Sequence, residues 1–198
     1  MARTRAKDYD DKRQAMLHQA ASVFARDGYD RASMAGVAAE CGVSKALLYH
    51  YYASKEALLF DIIKSHLEEL IDAVDAADEA SLPAEERLER LVAALLEAYR
   101  DADAEHKLQI GAMQLLPEAD QARHKALERE LVARFADAVR AVDPEAFEGT
   151  PLLKPVTMSL FGMLNWFYMW FRDGGPVSRR EYAALATKLL VGGVRGLT

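Results

Sequence analysis

The sequence predicts an all-α fold, a three-helix head followed by a larger helical body. Three observations carry this expectation. Apolar residues recur at three- and four-residue spacing along the 198 residues, and no stretch alternates as a half-buried strand would. The strongest breakers fall between those periodic segments, at Gly28, Gly42, Pro83, Pro117, Pro144, Pro151 and Gly174-Gly175-Pro176. Charge also divides the chain: residues 1–60 hold 9 Lys/Arg against 7 Asp/Glu, a balance of +2, while the other 138 hold 16 against 24 and carry -8. A mildly basic head on an acidic body fits a head that approaches a polyanion.

Each element follows from local signals. Leu17, Ala20, Ala21 and Phe24 lie one helical turn apart, and Gly28 stops that helix as a C′ residue does. Ser33 caps a short segment through Glu40 that turns Val37, Ala38 and Cys41 inward, and Gly42 makes the next turn. Ser44 caps a second short segment, Lys45 to His50. Ser54 caps a long helix in which Leu58, Leu59, Ile62, Ile63, His66, Leu67, Leu70, Ile71 and Val74 share one face. The acidic, alanine-rich segment from Asp72 to Glu86 reads as the joint between head and body. Further helices are predicted near 84–101, 105–116, 118–142, 154–172 and 178–196.

Composition and motifs exclude much. At 51% hydrophobic and 28% charged, the chain has an ordinary globular composition, and a chain of this size buries roughly 70% of its unfolded surface without metal or disulfide support. One cysteine cannot form an internal disulfide, which fits a cytoplasmic setting. No stretch reads as a signal peptide. The most apolar run, Pro155 to Phe171, is shorter than the ~20 residues a spanning helix needs and is interrupted by Thr157, Ser159 and Asn165, so no membrane role is expected. Phosphate loops, nucleophile elbows and zinc-protease motifs are all missing, so no catalytic activity and no cofactor are expected. Cys41 on an apolar face reads as an inert thiol, and His66 near Glu69 reads as a core histidine rather than a metal ligand.

The informative stretch is residues 13–60. Two short helices joined at Gly42, the second capped by Ser44, form a helix-turn-helix, whose second helix lies in the DNA major groove. The run Ser33-Met34-Ala35-Gly36-Val37-Ala38-Ala39-Glu40-Cys41-Gly42-Val43-Ser44-Lys45-Ala46-Leu47-Leu48-Tyr49-His50-Tyr51-Tyr52, followed by Ser54-Lys55-Glu56-Ala57-Leu58, resembles the signature of TetR-family transcriptional regulators. Ala20-Ala21-Ser22-Val23-Phe24 and Gly28-Tyr29 match upstream. That resemblance implies an N-terminal helix-turn-helix DNA-binding domain, residues 1–56, and a helical ligand-binding and dimerisation domain, residues 57–198. It implies phosphate contacts from Tyr49 and Lys55, base-facing positions at Lys45, Ala46, Leu47 and His50, and core positions at Leu48 and Tyr52. The hydroxyls of Ser33, Ser44 and Tyr49 suit phosphate oxygens as well. Ala46 stands where the family often has glycine, and Leu47 where a small or hydroxylated side chain is frequent; Leu47 suits a thymine methyl. Arg3, Arg5 and Lys7 offer additional phosphate or minor-groove contacts.

The body is read more coarsely. Leu160 to Phe171 is apolar nearly all round and needs cover on every side. Leu185, Leu189, Gly192 and Val194 on the final helix are expected to meet a second copy, so that the last two helices of each subunit build a four-helix interface. Tyr99, His106, Gln109, Met113, Asn165, Trp166 and Met169 have the composition of an effector pocket. The aromatic block also resembles a segment of TetR-type regulators that respond to acyl-coenzyme A thioesters, phenylacetyl-CoA among them. Arg123, His124, Lys125 or Arg172 would then receive the nucleotide phosphates. The reading is a homodimeric repressor on a palindromic operator, released by a small hydrophobic effector. Two alternatives stay open: a multidrug-efflux type of TetR repressor, and a helical acyl-CoA-binding carrier or enzyme that binds no DNA.

Overall fold

The computed structural model describes residues 2–197, with side chains from Lys12 onward, and every regular element among them is helical. In order these are α1 (Ala2–Asp27), α2 (Met34–Glu40), α3 (Lys45–Tyr51), α4 (Lys55–Ala77), α5 (Ala84–Ala98), α6 (Asp103–Ala112), α7 (Glu118–Val142), α8 (Leu153–Asn165), α9 (Phe167–Trp170) and α10 (Arg179–Arg195), with short 3-10 turns at Met113–Leu115 and Glu145–Phe147. The side chains of Arg3, Arg5 and Lys7, for which the sequence suggests DNA contacts, lie outside the described ones. No helix among the described residues is long and apolar enough to cross a membrane.

Packing groups the chain into two compact units, Met1–Glu68 with Asp101–Ala126, and Glu69–Arg100 with Leu127–Thr198. Residues 57–68 and 101–126 thus pack with the head. The segment expected to be the joint is helical through Ala77, and the division falls inside α4, at Glu68 and Glu69.

The first unit is built on α1. Leu17, Ala20, Ala21 and Phe24 are buried as their spacing predicts, together with Val37 and Ala38 of α2, Leu48 of α3 and Leu58, Leu59 and Ile62 of α4. Each fully buried leucine contributes roughly 1.5–3 kcal/mol. On another side of α1 the packing is polar, where α6 meets it: His18 Nδ1 and Glu105 Oε1 lie 2.8 Å apart. Gln14 of α1 and Ser65 of α4 exchange hydrogen bonds of 3.0 and 3.1 Å.

The second unit has one apolar core. Leu88, Leu91, Val92, Leu95 and Leu96 of α5 meet Phe135 and Val139 of α7, Leu160, Phe161 and Leu164 of α8, and Ala183, Ala186, Leu190 and Val194 of α10. Small residues on α10 allow α5 to approach it closely, and the two run antiparallel: Arg195 pairs with Glu85, and Arg179 donates to the Leu96 carbonyl at 3.1 Å. The single helix expected over 154–172 is two pieces. α8 ends at Asn165, the chain turns at Trp166, and after α9 the backbone is extended at Phe171. Phe167 supplies the tertiary contact at the break, stacking on Tyr182 of α10 (5.0 Å between centroids) as well as on Phe171 (4.1 Å), with the Arg179 guanidinium over the Phe171 ring. The aromatic block is therefore covered on one side only, leaving Trp166, Met169 and Trp170 about half or more exposed.

Candidate DNA-reading face and effector residues

Two caps and one glycine shape the helix-turn-helix. The Ser33 hydroxyl accepts from the Gly36 N–H at 3.1 Å and starts α2. Gly42, at φ +64°, turns the chain so that the Val43 N–H reaches the Ala38 carbonyl at 3.0 Å. Ser44 then caps α3, accepting from Leu47 N–H at 3.1 Å. With the backbone fixed at both ends, α3 needs one anchor: Leu48 is wholly buried, and Tyr52 behind it nearly so. Lys45, Ala46, Leu47, Tyr49 and His50 all face outward, Leu47 and Tyr49 each 43% exposed. The Lys45 ammonium lies 5.7 Å from the centre of the Tyr49 ring.

Lys55 departs from the expectation. Its ammonium donates to the carbonyls of Tyr29, Asp30 and Ala32 at 2.8, 3.3 and 3.1 Å and sits 4.3 Å from the centre of the Tyr29 ring. Three protons meet three carbonyls, so Lys55 pins the α1–α2 turn rather than presenting a free cation to a phosphate. Burial and the neighbouring Glu56 push the Tyr29 phenol up to about 12, which keeps it neutral beneath that cation. Asp61 is a second fixed point that sequence reading missed: it accepts from Arg13 of α1 and from the Tyr52 hydroxyl at 3.0 Å. Burial and the Asp61 charge hold the Tyr52 phenol above its usual value. Together these contacts tie α1, α4 and the end of α3, so the outward face of α3 has a set orientation.

The expected effector residues divide between the units. In the second, the buried Tyr99 hydroxyl donates to Asn165 Oδ1 at 2.9 Å, and burial pushes its phenol upward. Trp166 and Met169, expected in the same pocket, have side chains that are 61% and 48% exposed; the break at Trp166 swings them out of that unit's core. In the first unit His106 is buried with its ring 5.9 Å from that of His66, Gln109 is partly buried, and Met113 begins the 3-10 turn. Burial, reinforced by the neighbouring His106, lowers the His66 pKa to about 3, so the imidazole is neutral. No group of three or more His, Cys, Asp or Glu among the described residues could hold a metal. His124 cannot serve a nucleotide phosphate, contrary to the expectation, because it is wholly buried, its Nε2 lying 3.0 Å from the Phe60 carbonyl and its ring stacked on Phe60. Cys41 is part-buried, its Sγ 3.8 Å from the Met16 carbonyl, and burial raises its pKa, as an inert thiol requires.

Comparison with known proteins fits this geometry. Residues 16–62 match the model of bacterial regulatory proteins of the tetR family, and residues 81–194 match that of the tetracyclin repressor-like C-terminal domain. The chain belongs to the TetR family. A TetR-family transcriptional regulator from Bordetella parapertussis 12822 is 32% identical, with a TM-score of 0.82 over 90% of this chain and 93% of that one. The transcriptional repressor KstR2 of Mycobacterium tuberculosis is 24% identical over 194 residues, spanning 96% of each protein. AibR, solved in complex with isovaleryl coenzyme A and operator DNA, shares the fold, with a TM-score of 0.75 and 23% identity over 92% of this chain and 97% of that one.

In this TetR-family regulator α10 exposes a stripe of Leu185 (48%), Leu189 (60%), Gly192, Gly193 and Gly196. Val194 does not belong to it. It is 2% exposed, one turn beyond Leu190 on the face that enters the core, so its assignment to a subunit interface is corrected. α8, which packs on α10, exposes Met158, Gly162 and, just past its end, Trp166, each one turn from the last.

Proposed function

We propose that the protein is a ligand-responsive repressor that binds a palindromic operator as a homodimer and leaves it when a small hydrophobic effector binds. The observation that carries the reading is the outward face of α3, where Lys45, Ala46, Leu47, Tyr49 and His50 surround a helix anchored by Leu48. A seven-residue helix capped by Ser44 enters the major groove with its first residues against base edges. Ala46 and Leu47 make apolar contacts such as a thymine methyl accepts, His50 reads a base edge, and Lys45 and Tyr49 flank them near the backbone phosphates. Ser33 and Ser44 keep a hydroxyl proton for a phosphate oxygen, since each cap uses only the oxygen as acceptor.

Dimerisation through α8 and α10 follows from the exposed stripe of Leu185, Leu189, Gly192 and Met158. Glycines on α10 let two such helices approach closely, and one copy leaves the leucines in water. The effector is an acyl-coenzyme A thioester, its acyl part beside Tyr99 and Asn165, whose mutual hydrogen bond can be exchanged for one to a thioester carbonyl. That AibR carries isovaleryl coenzyme A and operator DNA on the same fold supports this choice. Release requires the thioester to bind the DNA-incompetent state more tightly; a preference of ~1–3 kcal/mol weakens operator binding roughly 5- to 150-fold. Native mass spectrometry with a thermal-shift panel tests the reading. Dimers stabilised by thioesters and not by free acids or free coenzyme A are expected, with the effect lost in Asn165→Leu. Stabilisation by cationic dyes alone would move the effector to the efflux class.

A further inference from the structure

We propose that the groove between α5 and α10 is a separate small-molecule site that takes a zwitterion of amino-acid to dipeptide size. The groove is open to solvent along its length and offers about 540 Å³, within the roughly 300–1,000 Å³ of known ligand sites, and it lies wholly within the second unit. Glu86 and Glu89 line it from α5; Arg180, Ala184, Thr187 and Lys188 line it from α10. Because the helices run antiparallel with Glu85 against Arg195, Lys188 stands near the level of Glu89. Arg180 lies two turns further along, about 12 Å by helical rise.

Six charged residues line this groove, and four of them are unpaired. Neighbouring Arg90 pairs with Glu79 at 2.8 Å, and Glu85 pairs with Arg195. The side chains of Glu86, Glu89, Arg180 and Lys188 form no ion pair or hydrogen bond with any described residue, although two are acids and two are cations lining one cleft. Walls of opposite sign that do not close on each other leave space for a ligand that carries both signs.

A second observation lies in the wall of the same groove. Thr187 is 3% exposed, and its hydroxyl has no hydrogen-bond partner among the described residues. Thr157, buried in α8, instead donates to the carbonyl of Leu153 one turn back at 2.8 Å, the usual outlet for a helical threonine. An orphaned buried hydroxyl is destabilising, so the Thr187 O–H gains a partner when its side chain turns to an acceptor in the groove. In the bound state a ligand ammonium meets Glu86 and Glu89, and its carboxylate accepts from Lys188 and Thr187. A second anionic group on a longer ligand reaches Arg180. The apolar stripe of Leu185 and Leu189 lies about 100° round α10 from Ala184 and Lys188, so the groove is a face of its own.

Isothermal titration of the full chain with L-alanyl-L-alanine, its N-acetyl form and its C-terminal amide tests this. Saturable binding of the free dipeptide is expected, with each blocked form about tenfold weaker, the loss of one charge-assisted contact. Glu89→Gln should reduce discrimination against the N-acetyl form, Lys188→Met should reduce discrimination against the amide, and Thr187→Val should weaken binding roughly fivefold while the melting temperature stays the same or rises. No saturable heat at millimolar dipeptide, or binding that survives all three substitutions, overturns the proposal.

Discussion

Lys55 shows how one side chain can fix the frame of the helix-turn-helix through backbone carbonyls. Its three hydrogen bonds close the turn that sets α2 against α1, so Lys55→Met should cost about 1–3 kcal/mol in urea unfolding by leaving partly buried carbonyls unpaired. A substitution that weakened DNA binding while leaving the urea midpoint unchanged would return Lys55 to the phosphate role. His66 gives a pH signature. Its folded pKa, about 3, lies below the ordinary 6.5, so the unfolded chain binds the extra proton in that window. Its contribution to stability is therefore intact above pH 6.5 and is lost as the pH falls toward 3, at up to ~1.4 kcal/mol per pH unit. His66→Gln should flatten that acid limb in denaturation series between about pH 4 and 7, and an unchanged limb would show that another group titrates there. Residue roles were legible where the partner is local. Ser33, Ser44, Leu48 and Tyr52 lie within a turn or two of what they cap or fill. Lys55, Asp61 and His124 find partners on distant segments, as far as 64 residues away for His124, and no spacing rule reaches that far.

At the scale of elements, the turn between α2 and α3 depends on one backbone conformation. A methyl group added at Gly42 would meet nothing within 4 Å, so Gly42→Ala tests conformation alone. The left-handed φ costs an alanine about 1–2 kcal/mol, and thermal unfolding should show that loss with no change in helix content. A neutral result would mean that the turn relaxes to another geometry. Helix positions were legible throughout because the 3.6-residue period and the Ser, Gly and Pro signals agree. The break at Trp166 was not, because the segment is apolar on all sides and the period is silent about where it bends. What packs there is the contact of Phe167 with Tyr182 of α10, which is tertiary.

For the whole molecule, two substitutions on one helix separate interface from core. Leu189→Asp puts a charge on the exposed stripe of α10 and should give a folded monomer with weak operator binding, since one head contacts only a half-site. Val194→Asp puts the charge into the apolar core and should unfold the protein. Sedimentation and circular dichroism read the difference, and a stable Leu189→Asp dimer would place the interface elsewhere.

Selection from a randomised duplex library tests whether α3 reads DNA. Enrichment of an inverted repeat is expected, with half-site centres at least one helical turn, ~34–36 Å, apart. Leu47→Ala and His50→Ala should relax the preference at defined positions within each half-site, whereas Tyr49→Ala should weaken all duplexes alike and reduce the salt dependence by about one phosphate contact. Enrichment no better than non-specific background, or the same motif at the same affinity from a folded Leu47→Ala, Tyr49→Ala, His50→Ala triple variant, would contradict it.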